Sequence, residues 1–291
     1  MSTPVFDTLR KLGTELSPAL IEGTLGLFAP LALQPTADFC TVVRDVAYGP
    51  DARHRMDIFY PAQAAAEPRP VIVFVHGGGF VRGDKGAPDA PFYNNVGAWA
   101  VRNGLIGVTM TYRLAPASQW PAGSEDVAMA LESLHERVER FGGDPGRVFL
   151  SGQSAGAVHV AGHVAGHHGR SGGPRVAGAI MLSGIYDLLS LRHGPFEEAY
   201  FGTERTRFSE ASSMQALART DIPCLYTVSE WDPPTFQQQA LRLVETHWAA
   251  RGRLPRLLYQ QGHNHLSPVL QLGSSFDTLG GELLAFIRRL T

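Results

Sequence analysis

The stretch that most constrains the fold runs from Val148 to Gly156, where an apolar run ends in Gly-x-Ser-x-Gly and an alanine-, glycine- and valine-rich segment follows. This order predicts a strand, a sharp turn and a helix, with the serine held outward at the turn. Gly152 and Gly156 lack Cβ atoms, so backbone can pack closely on both sides of that serine. Ser154 is therefore the candidate nucleophile, although such a pentapeptide also occurs in ordinary strand-to-helix turns.

The sequence around this stretch alternates apolar runs with helical periodicity. Residues 71–75 are continuously β-branched or aromatic, as expected for a strand covered on both faces. The further predicted strands are 105–111, 147–151, 176–182, 223–229 and 256–260, and the predicted helices are 91–103, 123–140, 154–167, 234–251 and 276–290. Alternation of this kind predicts a mostly parallel, doubly wound α/β sheet.

Three further segments complete the predicted architecture. Residues 40–48 and 54–60 alternate apolar and polar side chains around a Gly-Pro-Asp-Ala turn, which predicts an antiparallel hairpin at one edge of the sheet. Residues 1–35 predict amphipathic helices, and 186–220 reads as a long irregular insertion. We expect one domain, 1–291, with about eight strands, in which 1–35 and 186–220 form a small helical cap.

Composition excludes several classes of partner. With 44% hydrophobic residues and a net charge of -2, the chain has a sizeable core and no basic face for nucleic acid or an anionic membrane surface. No uninterrupted apolar run approaches the roughly 20 residues of a membrane span. Cys40 and Cys224 lie in separate apolar runs, which predicts buried free thiols and a reducing, cytoplasmic location. We expect a small-molecule partner, and a homodimer is compatible with this composition.

A serine nucleophile requires fixed hydrogen-bond donors for the oxyanion that forms during attack. The sequence His-Gly-Gly-Gly-Phe at 76–80 follows the first buried strand, and bare backbone N–H groups in such a run can point at one spot. We expect the N–H groups of Gly78, Gly79 and Ala155 to form the oxyanion hole. The motif lacks the lysine ending of a phosphate-binding loop and the spacing of a dinucleotide site. His76 is interpreted as a residue that orders the loop.

The serine also requires a base and an acid that orients the base. Asp232 follows the strand 223–229, and the prolines after it stop that strand, which puts the carboxylate at the carboxyl edge where open α/β sheets assemble their sites. Glu230 and Asp187 are the competing acids. Asp187 also follows a strand, but it is equally typical of a helix or turn cap.

Two histidines, His263 and His265, follow the last strand and compete for the role of base. Position alone does not choose between them. A slight preference goes to His265, because Leu266 after it could anchor the side chain against the final helical region.

Several segments together resemble one family of enzymes. The segments 76–80, Tyr-Arg-Leu-Ala-Pro at 112–116, Asp-Pro at 144–145 and 152–156 resemble esterases of the α/β-hydrolase fold that are related to hormone-sensitive lipase. This resemblance covers the chain from about residue 55 onward. It implies an α/β-hydrolase fold and no cofactor. It also implies a triad, whose members would be Ser154, Asp232 and a histidine late in the chain.

Departures from that family's motifs leave the substrate open. The usual glutamate after Tyr-Arg-Leu-Ala-Pro is Ala117, and the ending His-Asn-His-Leu at 263–266 resembles the kynurenine formamidase branch. In that branch the histidine before the apolar residue is the base, which favours His265 over His263. Esters and aryl formamides are both cleaved through a tetrahedral oxyanion after serine attack, so the triad does not distinguish them.

We therefore expect a serine hydrolase of the carboxylesterase type that cleaves small carboxylic esters through an acyl-enzyme. The alternative is an arylformamidase or another amide or carbamate hydrolase, and a non-catalytic ligand-binding protein is a distant third. Aromatic and polar side chains beside the motifs, Phe80, Trp231 and Gln153, are candidates for the substrate pocket.

A row of histidines after the serine raises the question of a metal site. His159, His163 and His167 recur at intervals of four and would share one face of a helix. No glutamate completes a zinc-protease motif, so we interpret the row as a partly exposed helix face and expect no metal.

Overall fold

The computed structural model describes residues 4–63, 67–169, 176–191 and 194–291, and an eight-stranded sheet forms its centre. The strands are β1 Cys40–Ala47, β2 Arg55–Pro61, β3 Arg69–Val75, β4 Ile106–Met110, β5 Gly143–Gln153, β6 Gly178–Leu182, β7 Cys224–Trp231 and β8 Arg256–Asn264. Their order is β1-β2-β4-β3-β5-β6-β7-β8. The pairs β1–β2 and β2–β4 are antiparallel and all others are parallel. The predicted α/β-hydrolase architecture, with its hairpin at the sheet edge, is confirmed.

Helices surround this sheet. They are α1 Pro4–Leu12, α2 Pro18–Phe28, α3 Asn94–Arg102, α4 Ala122–His135, α5 Ala155–Val164, α6 Pro195–Phe201, α7 Arg205–Ala211, α8 Met214–Arg219, α9 Pro234–Arg251, α10 Ser267–Leu270 and α11 Gly280–Arg288. Within the described part of the chain, no helix is both long and apolar enough to cross a membrane.

The central strand β3 explains why its sequence is apolar without interruption. Val71, Val73 and Val75 face a core formed with α4, α5, α8 and α9, whereas Ile72 and Phe74 face a second core formed with α3 and α11. Side chains alternate between the two faces of a strand, so a strand covered on both faces needs apolar residues at every position.

In its described residues, 186–191 and 194–220, the insertion is not irregular, which corrects our expectation. It holds the three short helices α6, α7 and α8, each of six or seven residues, separated by brief turns. Each helix buries only two or three side chains, among them Tyr200, Phe208 and Leu217. One or two helical turns are too short for an apolar period to stand out from the sequence.

Both cysteines carry free thiols. Cys40 is buried at the start of β1, and Cys224 is partly buried at the start of β7. Burial raises the pKa of each thiol to about 11, so neither is reactive near neutral pH.

Candidate active site

Ser154 lies at the sharp turn between β5 and α5, with φ 55° and ψ -120°. A positive φ is strained for a residue with a Cβ atom, and here it is held by close packing of the flanking glycines. A Cβ on Gly156 would collide with the carbonyl oxygen of Val75, and one on Gly152 would collide with the backbone of Gly156. The backbone N–H of Ser154 donates to the carbonyl of Leu182, 2.9 Å away, which fixes the turn against β6.

His265 follows β8 and is oriented by Asp232, which follows β7. The Nδ1 atom of His265 donates to Oδ1 of Asp232 over 2.6 Å, and both side chains are buried. Its other ring nitrogen, Nε2, makes no hydrogen bond with the described residues. His265 and Ser154 line the same cavity. This imidazole is thus held in the tautomer whose free nitrogen can accept a proton.

The second oxygen of Asp232, Oδ2, accepts two further hydrogen bonds. The hydroxyl of Ser183 donates to it over 2.7 Å and the backbone N–H of Ser229 over 2.6 Å. The aspartate is fully buried, so these donors replace the water that would otherwise solvate its charge. Ser183 was not predicted as a site residue, although it directly follows a predicted strand.

The competing residues occupy other positions. His263 lies between the hydroxyls of Ser267 and Thr278, each 2.9 Å from a ring nitrogen, and burial lowers its pKa to about 4. Glu230 accepts from the N–H of Gly262 over 2.7 Å. Asp187 caps a short 3-10 turn and pairs with Arg242 at 2.8 Å. Of the two histidines, the structure brings His265 to Asp232.

Three backbone N–H groups are available beside Ser154. Gly78, Gly79 and Ala155 line its cavity, and their N–H groups donate to no other group among the described residues. Gly78 has φ 125°, and a Cβ there would collide with the carbonyl oxygen of Arg82, so this position requires glycine. The same cavity is therefore lined by Ser154 and by the three residues whose N–H groups we expected to form an oxyanion hole.

His76, just before these glycines, holds the glycine loop in place through a hydrogen bond and a ring contact. Its Nδ1 donates to the carbonyl of Gly77 over 2.6 Å, and its ring stacks on Tyr112 with centroids 4.4 Å apart. Burial lowers the pKa of His76 to about 4, so the ring is neutral at physiological pH.

Buried ion pairs hold the loop that follows the three glycines at 77–79. Asp57 on β2 is fully buried and accepts from Nη1 of Arg44 at 2.7 Å and from the backbone N–H of Asp45 at 2.9 Å. The ammonium group of Lys85, on the loop, lies 3.0 Å from Asp57 and 2.8 Å from Asp45. Arg44 also donates to the side-chain oxygen of Asn94 over 2.8 Å.

The cavity around Ser154 measures about 310 Å³ and is mostly apolar. Phe80 and Gln153 line it, whereas Trp231 does not. The indole of Trp231 instead packs in the apolar cluster beneath the N-terminal helices, beside Leu9 and Phe28. The rest of the apolar lining comes from segments that are distant in sequence: Leu16, Ile21, Leu25, Phe196, Phe236 and Leu270.

Gln153 also contacts the histidine loop directly. Its side-chain Nε2 donates to the carbonyl oxygen of His265 over 2.7 Å, and the side chain is buried. This bond joins the residue before Ser154, the candidate nucleophile, to the backbone of His265, the candidate base. Gln153 therefore contributes to the spacing between Ser154 and His265 as well as to the cavity wall.

The N-terminal helix α2 supports the same loop from the other side. The amide Nδ2 of Asn264 donates to the hydroxyl of Thr24 over 2.8 Å, and that hydroxyl donates to the carbonyl of Leu20 over 2.7 Å. The Asn264 side-chain oxygen accepts from the N–H groups of Leu266 and Ser267, both at 3.1 Å. Several hydrogen bonds therefore fix the position of the segment that carries His265.

The histidine row on α5 is more buried than expected. His159 and His163 are 1% and 7% exposed, and burial lowers the pKa of each to about 3. The His159 ring packs edge-on against Tyr112, with centroids 4.3 Å apart. Among the residues that the structure describes, no group of three or more histidine, cysteine or acidic side chains could hold a metal ion.

The arrangement found here is the one typical of α/β-hydrolases. It combines a serine at a strand-turn-helix, a buried aspartate-histidine pair, and backbone N–H groups at one cavity. A family model described as alpha/beta hydrolase fold matches residues 72–250. The match spans more than half of the chain, and the protein belongs to this family.

Curated relatives are similar over part of their length. The chain is 31% identical to esterase LipC of Mycobacterium tuberculosis, covering 39% of the chain and 27% of that protein. It is 32% identical to isoprenylcysteine alpha-carbonyl methylesterase ICME of Arabidopsis thaliana, covering 41% and 26%. It is 33% identical to arylacetamide deacetylase of Bos taurus, covering 46% and 33%. The chain thus aligns with about a third or less of each of these relatives.

Solved structures are similar over nearly the whole chain. Esterase B from Lactobacillus rhamnosis, in a phosphonate-inhibited form, superposes with a TM-score of 0.77 at 17% identity, covering 98% of this chain and 95% of that one. A bacterial heroin esterase superposes with a TM-score of 0.68 at 22% identity, covering 99% and 97%. At these identities the likeness shows the fold alone.

Proposed function

We propose that this protein is a serine hydrolase of the carboxylesterase type that cleaves small carboxylic esters. One observation carries the proposal: Ser154, strained at φ 55°, shares a cavity with His265, whose Nδ1 bonds Asp232 at 2.6 Å while its Nε2 has no partner among the described residues. The names of the curated relatives, which include several esterases, support the same class of reaction.

The reaction begins when Nε2 of His265 takes the proton of the Ser154 hydroxyl as its oxygen attacks the ester carbonyl. The carbonyl oxygen becomes an oxyanion, which the N–H groups of Gly78, Gly79 and Ala155 stabilise. The imidazolium then protonates the leaving alkoxide, which departs as the alcohol and leaves an acyl group on Ser154. Water, deprotonated by His265, attacks this acyl-enzyme and releases the carboxylic acid.

The cavity favours substrates with a modest apolar acyl or alcohol group. Aliphatic side chains of the N-terminal region, such as Ile21 and Leu25, form one wall, and the rings of Phe196 and Phe236 lie on others. An apolar lining with few polar groups selects ligands by burying hydrocarbon rather than by pairing charges. Arg82 and Glu197 also line this cavity and are its charged side chains.

Amide hydrolysis is the second candidate, including cleavage of aryl formamides. The relative named arylacetamide deacetylase supports it, because that name describes removal of an acyl group from an aromatic amine. The same serine, histidine and oxyanion donors serve both reactions, so the substrate alone distinguishes them.

A substrate panel tests the proposal. Purified protein is assayed on p-nitrophenyl acetate, butyrate and octanoate, on an aryl formamide and on an aryl carbamate. Ser154→Ala serves as the blank. Ser151→Ala is the matched control, because Ser151 lies three residues earlier on β5 and its hydroxyl donates to the carbonyl of Val73.

We expect ester turnover by the wild type and by Ser151→Ala, and none by Ser154→Ala. A higher kcat/KM on the formamide than on every ester would assign the protein to amide hydrolysis. Ester turnover by Ser154→Ala at the wild-type rate would refute the serine mechanism, and binding without turnover across the panel would indicate a ligand-binding protein.

A further inference from the structure

Ser183 directly follows β6, the strand that lies between β5, which leads to Ser154, and β7, which leads to Asp232. It follows Leu182, the last residue of β6, which is in register with Gln153 on β5 and with Thr227 on β7. The N–H of Ser183 donates to the carbonyl of Thr227 over 3.2 Å. The carbonyl of Leu182 accepts from the N–H of Ser154 over 2.9 Å. The position of Ser183 is therefore fixed from both neighbouring strands.

The side chain of Ser183 reaches the acid from this position. Its hydroxyl donates to Oδ2 of Asp232 over 2.7 Å, and the residue is buried. Because Oδ2 is engaged here, the opposite oxygen, Oδ1, is the one presented to Nδ1 of His265 at 2.6 Å. A hydroxyl bond to a carboxylate is directional and charge-assisted, so it restricts rotation of the aspartate about its side-chain torsions.

The backbone of Ser183 indicates that the hydroxyl has a role beyond filling space. Ser183 has φ 48°, in the left-handed region that residues with a Cβ atom rarely adopt. Glycine would adopt this φ without strain, but the glycine of this turn, Gly184, is the next residue in the chain. The strained position itself is occupied by a serine. Strain of this kind persists where the surrounding structure over-determines it, most often at functional sites.

We propose that Ser183 is a positioning residue for hydrolysis, which holds the Asp232 carboxylate at the angle that orients the His265 imidazole. This proposal rests on the triad of the proposed function. Ser183 does not line the cavity, so it acts through Asp232 and does not touch substrate. Loss of its hydroxyl frees the carboxylate to rotate, and the base then spends less time in the productive orientation.

Two variants remove the hydroxyl in different ways. Ser183→Ala keeps the Cβ atom and the strained backbone, whereas Ser183→Gly removes both the hydroxyl and the strain. Thr227→Val is the matched control, because the buried Thr227 hydroxyl on the adjacent strand has no hydrogen-bond partner among the described residues. Each variant is assayed for kcat, for KM, for Tm and for the rate at which a small fluorophosphonate inactivates it.

We expect both Ser183 variants to lose on the order of 10- to 100-fold in kcat, with KM nearly unchanged, because the orientation of the base changes and the cavity does not. The fluorophosphonate, which needs the activated serine but little substrate binding, should react more slowly by a similar factor. Thr227→Val should match the wild type in all three kinetic measurements.

The outcomes separate this proposal from the proposed function. Wild-type kcat in both Ser183 variants, with no activity in Ser154→Ala, would overturn the positioning role and leave the serine mechanism standing. An increase of KM with unchanged kcat would also overturn it, since that pattern indicates damage to the cavity. Full turnover by Ser154→Ala would overturn both.

Discussion

The buried carboxylate of Asp57 stabilises the fold through its ion pairs with Arg44 and Lys85. The change Asp57→Asn keeps the shape of the side chain and removes the negative charge that faces Arg44 and Lys85. Lys85 is 7% exposed at its side chain, and after the change its remaining carboxylate partner is Asp45, which is 69% exposed. The substitution therefore leaves buried positive charge poorly compensated.

Breaking a buried pair by removal of one partner costs about 3–5 kcal/mol, and we take about 3 kcal/mol because Arg44 retains contact with water and with Asn94. The entropy of unfolding is about 2.1 cal/mol/K per residue, which for 291 residues is about 0.6 kcal/mol/K. The expected decrease in Tm is then about 5 °C.

Scanning calorimetry and urea titration measure this effect. Asp45→Asn is the matched control, because it removes the same charge from a mostly exposed side chain in contact with the same lysine. Asparagine also tolerates the positive φ of 54° at that position. We expect the control to cost no more than about 1 kcal/mol. Equal decreases of Tm in the two variants would refute the reasoning that burial sets the cost.

Three further predictions concern the histidine loop, the cavity and the response to acid. Thr24→Val leaves the buried Asn264 amide without its acceptor, so we expect the free energy of unfolding measured by urea titration to fall by about 1–3 kcal/mol and kcat to decrease. Unchanged stability and kcat would contradict this expectation. Phe196→Ala opens the cavity beside Gly79, so kcat/KM for a hexanoate ester, divided by kcat/KM for an acetate ester, should rise on the order of tenfold. An unchanged ratio would contradict the prediction that Phe196 limits the length of the acyl group. Burial lowers the pKa of His76 to about 4 and of His159 to about 3. Below pH 6.5 the unfolded chain binds protons that the folded chain does not, so the free energy of unfolding should fall as pH decreases from about 6.5 towards 4, by up to about 1.4 kcal/mol per pH unit for each histidine. Urea titrations at pH 7.5, 6 and 5 measure this change, and a free energy of unfolding that stays constant across these pH values would contradict the prediction.

Sequence patterns that extend over many residues predicted the sheet well. The uninterrupted apolar run at 71–75 is typical of a strand buried on both faces, and the structure has β3 there with a core on each side. The hairpin could be predicted for the same reason, since its alternation continues over both strands. The strand-turn-helix around Ser154 followed from glycines that have no room for a Cβ.

Features that depend on contacts between distant residues were not predictable in this way. Ser183 and Asp232 are separated by 49 residues, and only the pairing of β6 with β7 brings them together. The cavity wall from Leu25 requires that α2 pack over the carboxyl edge of the sheet. Trp231 lies beside the predicted acid in sequence, but its ring packs away from the cavity. Proximity in sequence is a poor guide to where a side chain points.

Mass spectrometry of a trapped intermediate tests whether Ser154 carries the acyl group during turnover. The wild type and Ser154→Ala are mixed with p-nitrophenyl butyrate, quenched in acid within milliseconds, digested and analysed by peptide mapping. We expect one butyryl group on the peptide that contains Ser154 in the wild type, and none on that peptide in the variant. A butyryl group on a different residue of the wild type, or ester turnover by the variant at the wild-type rate, would contradict it.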